Sequence, residues 1–104
     1  MPLQVARWTG KRAGLAVTDT AQTLIIPAGS IVIEISAVEN CYIRFGTDSV
    51  TAADNTIGDD VSRLFLSGMQ VVPVPIDATT DAPYNRISVI RATTNGIFQV
   101  EKVE

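Results

Sequence analysis

The groups able to ionise, coordinate or attack are few in this chain, and four of its eleven side-chain carboxylates crowd one stretch. Asp48, Asp54, Asn55, Asp59 and Asp60 all fall within residues 46–60, among threonines and serine. Calcium takes six to eight hard oxygens at roughly 2.4 Å, and an Asp/Asn loop can supply them. The D-x-D-x-D-G order of a dedicated calcium loop is absent, however, and Gly58-Asp59-Asp60 reads as an ordinary turn. The stretch is therefore expected to be a solvated connection, long enough to serve as contact surface, with no metal and no cofactor.

Other chemistries fare no better. Glu34 and Glu39 are formally the two carboxylates that glycoside hydrolysis needs. Yet Glu34 occupies the outward position of an alternating run, and nothing gathers two acids into a cleft. The chain contains no histidine, which removes Ser-His and Cys-His catalysis and histidine-ligated metals together. Cys41 is the single cysteine, so no intrachain disulfide forms; its apolar neighbours make it a small buried hydrophobe. The glycines stand singly at turns and build no phosphate cradle. No catalytic residue is assigned, and the chain is not expected to be an enzyme.

Charge is uneven. Residues 1–18 carry Arg7, Lys11 and Arg12 with no acid, whereas the remainder holds five basic against eleven acidic side chains, a balance of −6. A basic arm on an acidic body is a recurrent sign of docking, although three cations on a tail also serve solubility alone. Trp8, the only tryptophan, sits among those cations. Aromatic and arginine side chains anchor protein interfaces, so Arg7, Trp8, Lys11 and Arg12 are the arm's candidate contacts. Trp8 could equally close the base of its own domain. Arg44, Arg86 and Arg91 fall on strand-like runs, and Tyr42 and Tyr84 could stack bases. The acidic body opposes polyanion binding, so no nucleic acid is expected as a partner. No run approaches a membrane span or the apolar core of a signal peptide. The expected location is a reducing cytoplasm or an assembly built there, with no membrane partner.

The elements that position these groups repeat with a period of two. In "SIVIEIS", Ile31, Ile33 and Ile35 oppose Val32, Glu34 and Ser36; in "CYIRF", Cys41, Ile43 and Phe45 oppose Tyr42 and Arg44. "NRISVIRA" sets Ile87 and Val89 against Ser88 and Ile90, and "IFQVEKV" sets Phe98, Val100 and Lys102 against Ile97, Gln99 and Glu101. Further strands are expected near residues 14–18, 22–27 and 68–74, all rich in β-branched types. "PAGS" at 27–30 predicts a turn with Gly29 at positive φ, and Pro73 and Pro75 predict an edge strand or a strand end. "VEN" at 38–40 suggests a hairpin, and Asn95-Gly96 in "TTNG" predicts a second one with a type I′ turn. No segment has helical period with a cap. Seven short strands at this spacing predict an antiparallel sandwich or small barrel, a single domain at 19–104 with an extended arm at 1–18.

The succession "LIIPAGSIVIEIS", "NCYIRFGTDS", a Pro-rich strand and "ISVIRATTNGIFQVEKV" resembles small tailed-bacteriophage virion proteins of the capsid decoration (cement) type. Pro27, Gly29, Arg44, Phe45, Gly46, Asn95 and Gly96 carry the likeness, which spans residues 20–103 and leaves the basic arm unmatched. The resemblance implies a β-sandwich or jelly-roll-like module that clamps the major capsid protein on the virion surface, as a homo-oligomer (trimer or dimer). Beside the arm, Asp48, Asp54, Asn55 and Tyr84 are the loop residues expected to touch a partner. A tail, neck or fibre-associated adaptor, and a carbohydrate- or calcium-binding β-sandwich, are the alternatives.

Overall fold

The computed structural model describes residues 8–47 and 62–103, and among them every element is a strand. Eight strands make two antiparallel four-stranded sheets. The first contains β1 (Trp8–Val17), β10 (Gly96–Val103), β3 (Val32–Ala37) and β6 (Gly68–Pro73), in that spatial order. The second contains β2 (Gln22–Ile25), β9 (Arg86–Arg91), β4 (Cys41–Gly46) and β5 (Arg63–Phe65). A small ladder of β7 (Ile76–Asp77) and β8 (Ala82–Pro83) fills the connection between β6 and β9. Among the eight large-sheet strands the first pairs with the last, the second with the seventh, the third with the sixth and the fourth with the fifth.

Alternation decides which side chains leave water. Ile33, Ile35 and Ala37 of β3 and Phe98 and Val100 of β10 line the inner face of the first sheet; Ile87, Val89, Cys41, Ile43 and Phe65 come from the second. All of these belong to one buried cluster. Phe98 and Phe65 meet across it edge to face, with ring centroids 6.2 Å apart, an arrangement worth roughly 0.5–1.5 kcal/mol beyond area burial. The phases expected for "IVIEIS" and "CYIRF" hold, except that Ile31 precedes its strand and is exposed. Ser88, expected to face outward, is fully buried on the central strand β9.

Three expectations are corrected. Residues 8–17 are not an arm: they form β1, pinned along β10 with Leu15 opposite Phe98 and Val17 opposite Gly96. The residues read as a basic tail are in part a sheet edge, interrupted by a register shift between Trp8 and Arg12 where Gly10 takes φ +78°. Neither expected hairpin forms. The connection at 38–40 carries the chain from the first sheet to the second, and 92–95 carries it back. Asn95-Gly96 makes no type I′ turn, since neither residue has positive φ. Gly96 is needed for clearance instead: a Cβ there would stand 3.0 Å from Glu39 Cβ and 3.1 Å from its amide nitrogen. The two crossovers touch, and only a bare backbone fits between them.

Other punctuation behaves as expected. Gly29 has φ +75°, and the Ser30 amide donates to the Pro27 carbonyl at 3.2 Å, closing the turn into β3. β6 ends at Pro73 and lies at a sheet edge.

Two outcomes test this packing. Gly96→Ala should cost about 1–3 kcal/mol in a urea titration, through overpacking against the Glu39 backbone; a neutral result would mean that the crossovers are not in contact. Burial pushes the Cys41 thiol from 9.0 up to about 11. Its thiolate is therefore scarce at pH 8 and rises only as pH approaches that value. A disulfide reagent should leave the native protein unlabelled and modify its one cysteine after denaturation, whereas fast native labelling would place Cys41 on the outer face.

Candidate docking surfaces

One of the two basic residues of β1, Arg12, is held by an acid. Register places Arg12 opposite Glu101, whose other neighbour on the ladder is Glu34 of β3. The Arg12 Nε donates to Glu101 Oε1 at 2.6 Å, and the Gly10 amide donates to Oε2 at 3.2 Å. One carboxylate thus bridges the register shift, with Thr9 Oγ1 adding a bond to the Lys102 carbonyl at 3.0 Å. Glu101 is only 6% exposed although it stands on the outer row. Its carboxylate is engaged as a clasp for the sheet edge.

The second feature is an apolar groove at the end of the sheets where β1 begins. Trp8, Val103, Val32 and Pro73 form one row across the first sheet at that end. Just beyond it, the Val74 amide donates to Ile31 O at 2.8 Å, the Tyr84 amide to Pro75 O at 3.0 Å and the Ile26 amide to Asn85 O at 3.0 Å. These bonds tie residues 26–31 to 74–85 and leave between them a groove of about 380 Å³, with Pro27, Ile31, Pro83 and Tyr84 in its walls. Ile31 is 69% exposed; Ile25, which precedes the lining residue Ile26, and Ile76, which pairs with Pro83, are exposed too. The chain leaves β4 for the polar stretch at this end as well, through Thr47.

The opposite end is knitted. The Arg91 amide donates to Thr18 O at 2.9 Å, the Ala92 amide to Asn40 O at 3.1 Å and the Ser67 amide to Asn40 Oδ1 at 2.8 Å. Arg91 Nη1 reaches Asn95 Oδ1 at 2.9 Å, so that guanidinium secures a crossover. Two shallow grooves of about 320 and 350 Å³ share Met69. Val38 and Ile97 line one, Leu64 and Leu66 the other, and all four are exposed.

Of the expected contact residues, the structure brings Tyr84 to the groove and sets Lys11 and Arg12 on the outer edge of the first sheet. Trp8 is placed by its backbone, opposite Val103. Arg7, Asp48, Asp54 and Asn55, like Asp59 and Asp60, lie outside the described residues. No group of three or more metal-ligating side chains occurs among the described residues. The sequence reading missed Ile25, Ile31 and Ile76. Ile31 could have been found: three isoleucines in alternation exceed what a strand starting at residue 32 can bury. Met69 and Leu66 gave no local signal, since their exposure depends on β5 and β6 both being edges.

The clasp yields an ordered expectation. Glu101→Ala, which strands the Gly10 amide, should lower unfolding free energy by about 1–3 kcal/mol. Arg12→Ala should cost under about 1 kcal/mol, because that guanidinium is largely in water. Denaturant midpoints in the reverse order would assign the clasp to the guanidinium. Compared with protein-family models, characterised protein sequences and solved structures, the chain matches none.

Proposed function

We propose that this chain is a structural virion protein, a capsid decoration (cement) protein that binds the outer surface of a phage head and stiffens the lattice. The nested pairing of eight strands, first with last and fourth with fifth, is how a double-sheet jelly roll is wound, an architecture common in capsid and lectin domains. The likeness of residues 20–103 to small phage virion proteins points the same way. In this reading the partner is the major capsid protein, the protein assembles as a homo-oligomer, and its work is adhesion without turnover.

The observation that carries the reading is the groove walled by Pro27, Ile31, Pro83 and Tyr84, with Ile31 exposed, on a hydrogen-bonded scaffold. Burial of apolar surface returns about 25 cal/mol per Å² before ordering costs, and a groove fixed by backbone bonds loses little entropy on docking. Several copies joined together would multiply weak footprints into firm attachment. Lys11 and Arg12 offer a cationic flank along β1 for an acidic lattice surface, and Arg7, Trp8, Asp48, Asp54 and Asn55 are proposed as neighbouring contacts.

Point substitutions test this better than truncation, since removing residues 2–13 would strip half of β1 from its sheet. Particles lacking the protein are mixed with wild type or with Ile31→Asp plus Tyr84→Ala, and bound copies are counted after sedimentation. Occupancy should fall at least about tenfold, which corresponds to some 1.4 kcal/mol, with an unchanged circular-dichroism spectrum. Unchanged occupancy would remove the groove from the interface. Saturation at the copy number of a single ring would make the protein a tail or neck adaptor, and saturable heat with calcium or a glycan would favour the carbohydrate- or calcium-binding reading.

A further inference from the structure

The edges of the first sheet differ in kind. β1 is guarded: Lys11 and Arg12 line it, and the register shift at Gly10 breaks its run. Charge and bulges are the usual devices that stop one sheet edge from recruiting another. β6 has neither. From Leu64 to Ile76 the chain carries no charged residue, and β6 keeps regular register with β3 from Gly68 to Pro73. Met69 is 67% exposed and Val71 47%.

The backbone of β6 is set for one more strand. The Val74 amide points at β3, donating to Ile31 O. Amide direction alternates along an antiparallel strand. Val72, Gln70 and Gly68 therefore also direct their N–H and C=O groups at β3, while Met69, Val71 and Pro73 direct theirs away from it. On that side no strand of the described residues pairs with β6. Pro73 lacks an N–H, so the outer side offers two donors, from Met69 and Val71, and three acceptors.

We propose that β6 pairs antiparallel with β6 of a second copy of this chain, joining two first sheets into one continuous eight-stranded sheet. A two-fold axis perpendicular to the sheet keeps every residue on its own face, so it passes through a single residue and its mate. An axis at Gln70 pairs Met69 with Val71 of the second copy in both directions. An axis at Val71 pairs Val71 with itself and Met69 with Pro73, where the proline supplies only its carbonyl. Both registers satisfy all four outward donors. A two-fold sets the residue on its axis directly against its mate and brings the two copies of each neighbouring residue close, so a charged strand would meet its own charge, and like charges directly opposite destabilise a ladder. β6 is the edge of the first sheet free of that penalty. Met69 and Val71 of the two copies would also cover one another on the outer face, beside Leu64 and Leu66. A stable interface takes about 800 Å² per partner, close to one eighth of the 6634 Å² that the chain exposes. The pairing is argued from the strand alone and stands or falls apart from the virion role.

The test is sedimentation equilibrium of the full chain and two lysine variants over a concentration series, with two cysteine variants for cross-linking. Wild type should be a dimer. Val71→Lys sets two cations near the axis and should shift the protein to monomer, weakening association at least about tenfold, with its circular-dichroism spectrum retained. Thr23→Lys, on edge strand β2 of the other sheet, should remain a dimer. Because Cys41 is buried, a cysteine introduced at the edge is the only accessible thiol. Directly opposed residues in an antiparallel pair lie about 4.5–5.5 Å apart at Cα, within disulfide reach, so Gln70→Cys or Val71→Cys should yield a covalent dimer on mild oxidation. A wild-type monomer, a closed trimer, or a dimer that Val71→Lys leaves intact would each overturn the proposal. So would a monomer whose attachment to particles is lost with Val71→Lys, since the edge would then belong to a different partner.

Discussion

The structure depends on one row of contacts between its two sheets, centred where Phe98 of β10 meets Phe65 of β5. Around that pair Ile33, Ile35 and Val100 face Ile87, Val89, Cys41 and Ile43 with almost no exposure. Neither sheet could keep its inner face in water alone, because each inner row is nearly continuous Val, Ile and Phe. For a chain of 104 residues with no disulfide, this single core is the main source of stability, and it must offset the ordering of every strand.

The core also dictates topology. Each large-sheet ladder except β4–β5 joins residues more than thirty positions apart in the chain, as when Val17 faces Gly96 or Leu24 faces Ile87. In this chain every short connection between large-sheet strands crosses from one sheet to the other, so successive strands fall mostly in opposite layers. The connections at 38–40 and 92–95 are two of these crossovers. Their signals, a polar tripeptide and Asn-Gly between alternating runs, are the same ones a hairpin uses. Local chemistry says that the chain reverses; it does not say in which layer the next strand lies. The contact between Gly96 and Glu39 follows from this, because two crossovers at one end compete for the same space.

What could be read from residue order follows the same division. The inner rows of β3 and β4 were legible because burial on one side imposes alternation, and those of β9 and β10 in part, since Ser88 and Glu101 are buried as well. Ser88 was not, since a small hydroxyl at the middle of a central strand is buried by neighbouring strands that the local pattern cannot show. The basic start looked like an arm because Gly10 and Lys11 are poor strand formers, and the acid that holds Gly10 and Arg12, Glu101, lies at the far end of the chain. The prolines at 73 and 75 marked the edge at β6, whereas β5, only Arg63–Phe65, was too short to show a period, and without it Leu64 and Leu66 could not be recognised as surface. Tyr84 reached the groove as a contact residue, whereas the isoleucines around it read simply as core.

The surface left after the core is satisfied has a logic of its own. Charged groups are spent guarding β1, where Lys11, Arg12 and the clasp on Glu101 occupy the outer row. Exposed aliphatic side chains gather elsewhere: Ile25, Ile31 and Ile76 at the groove, and Leu64, Leu66, Met69 and Val71 along β5 and β6. Scattered exposed hydrophobics are normal, but gathered ones in a soluble domain mark where something docks. Two such places on one small rigid body suit a molecule that joins two things at once, and a protein that only enclosed a core would have no use for either. If the groove takes a lattice and β6 takes a second copy, each two-fold pair presents two grooves whose spacing is fixed by a continuous sheet. Paired footprints held at fixed spacing bind a periodic surface more firmly than the sum of their separate affinities, and only when the period matches. Stiffening a lattice and selecting it would then be the same physical act.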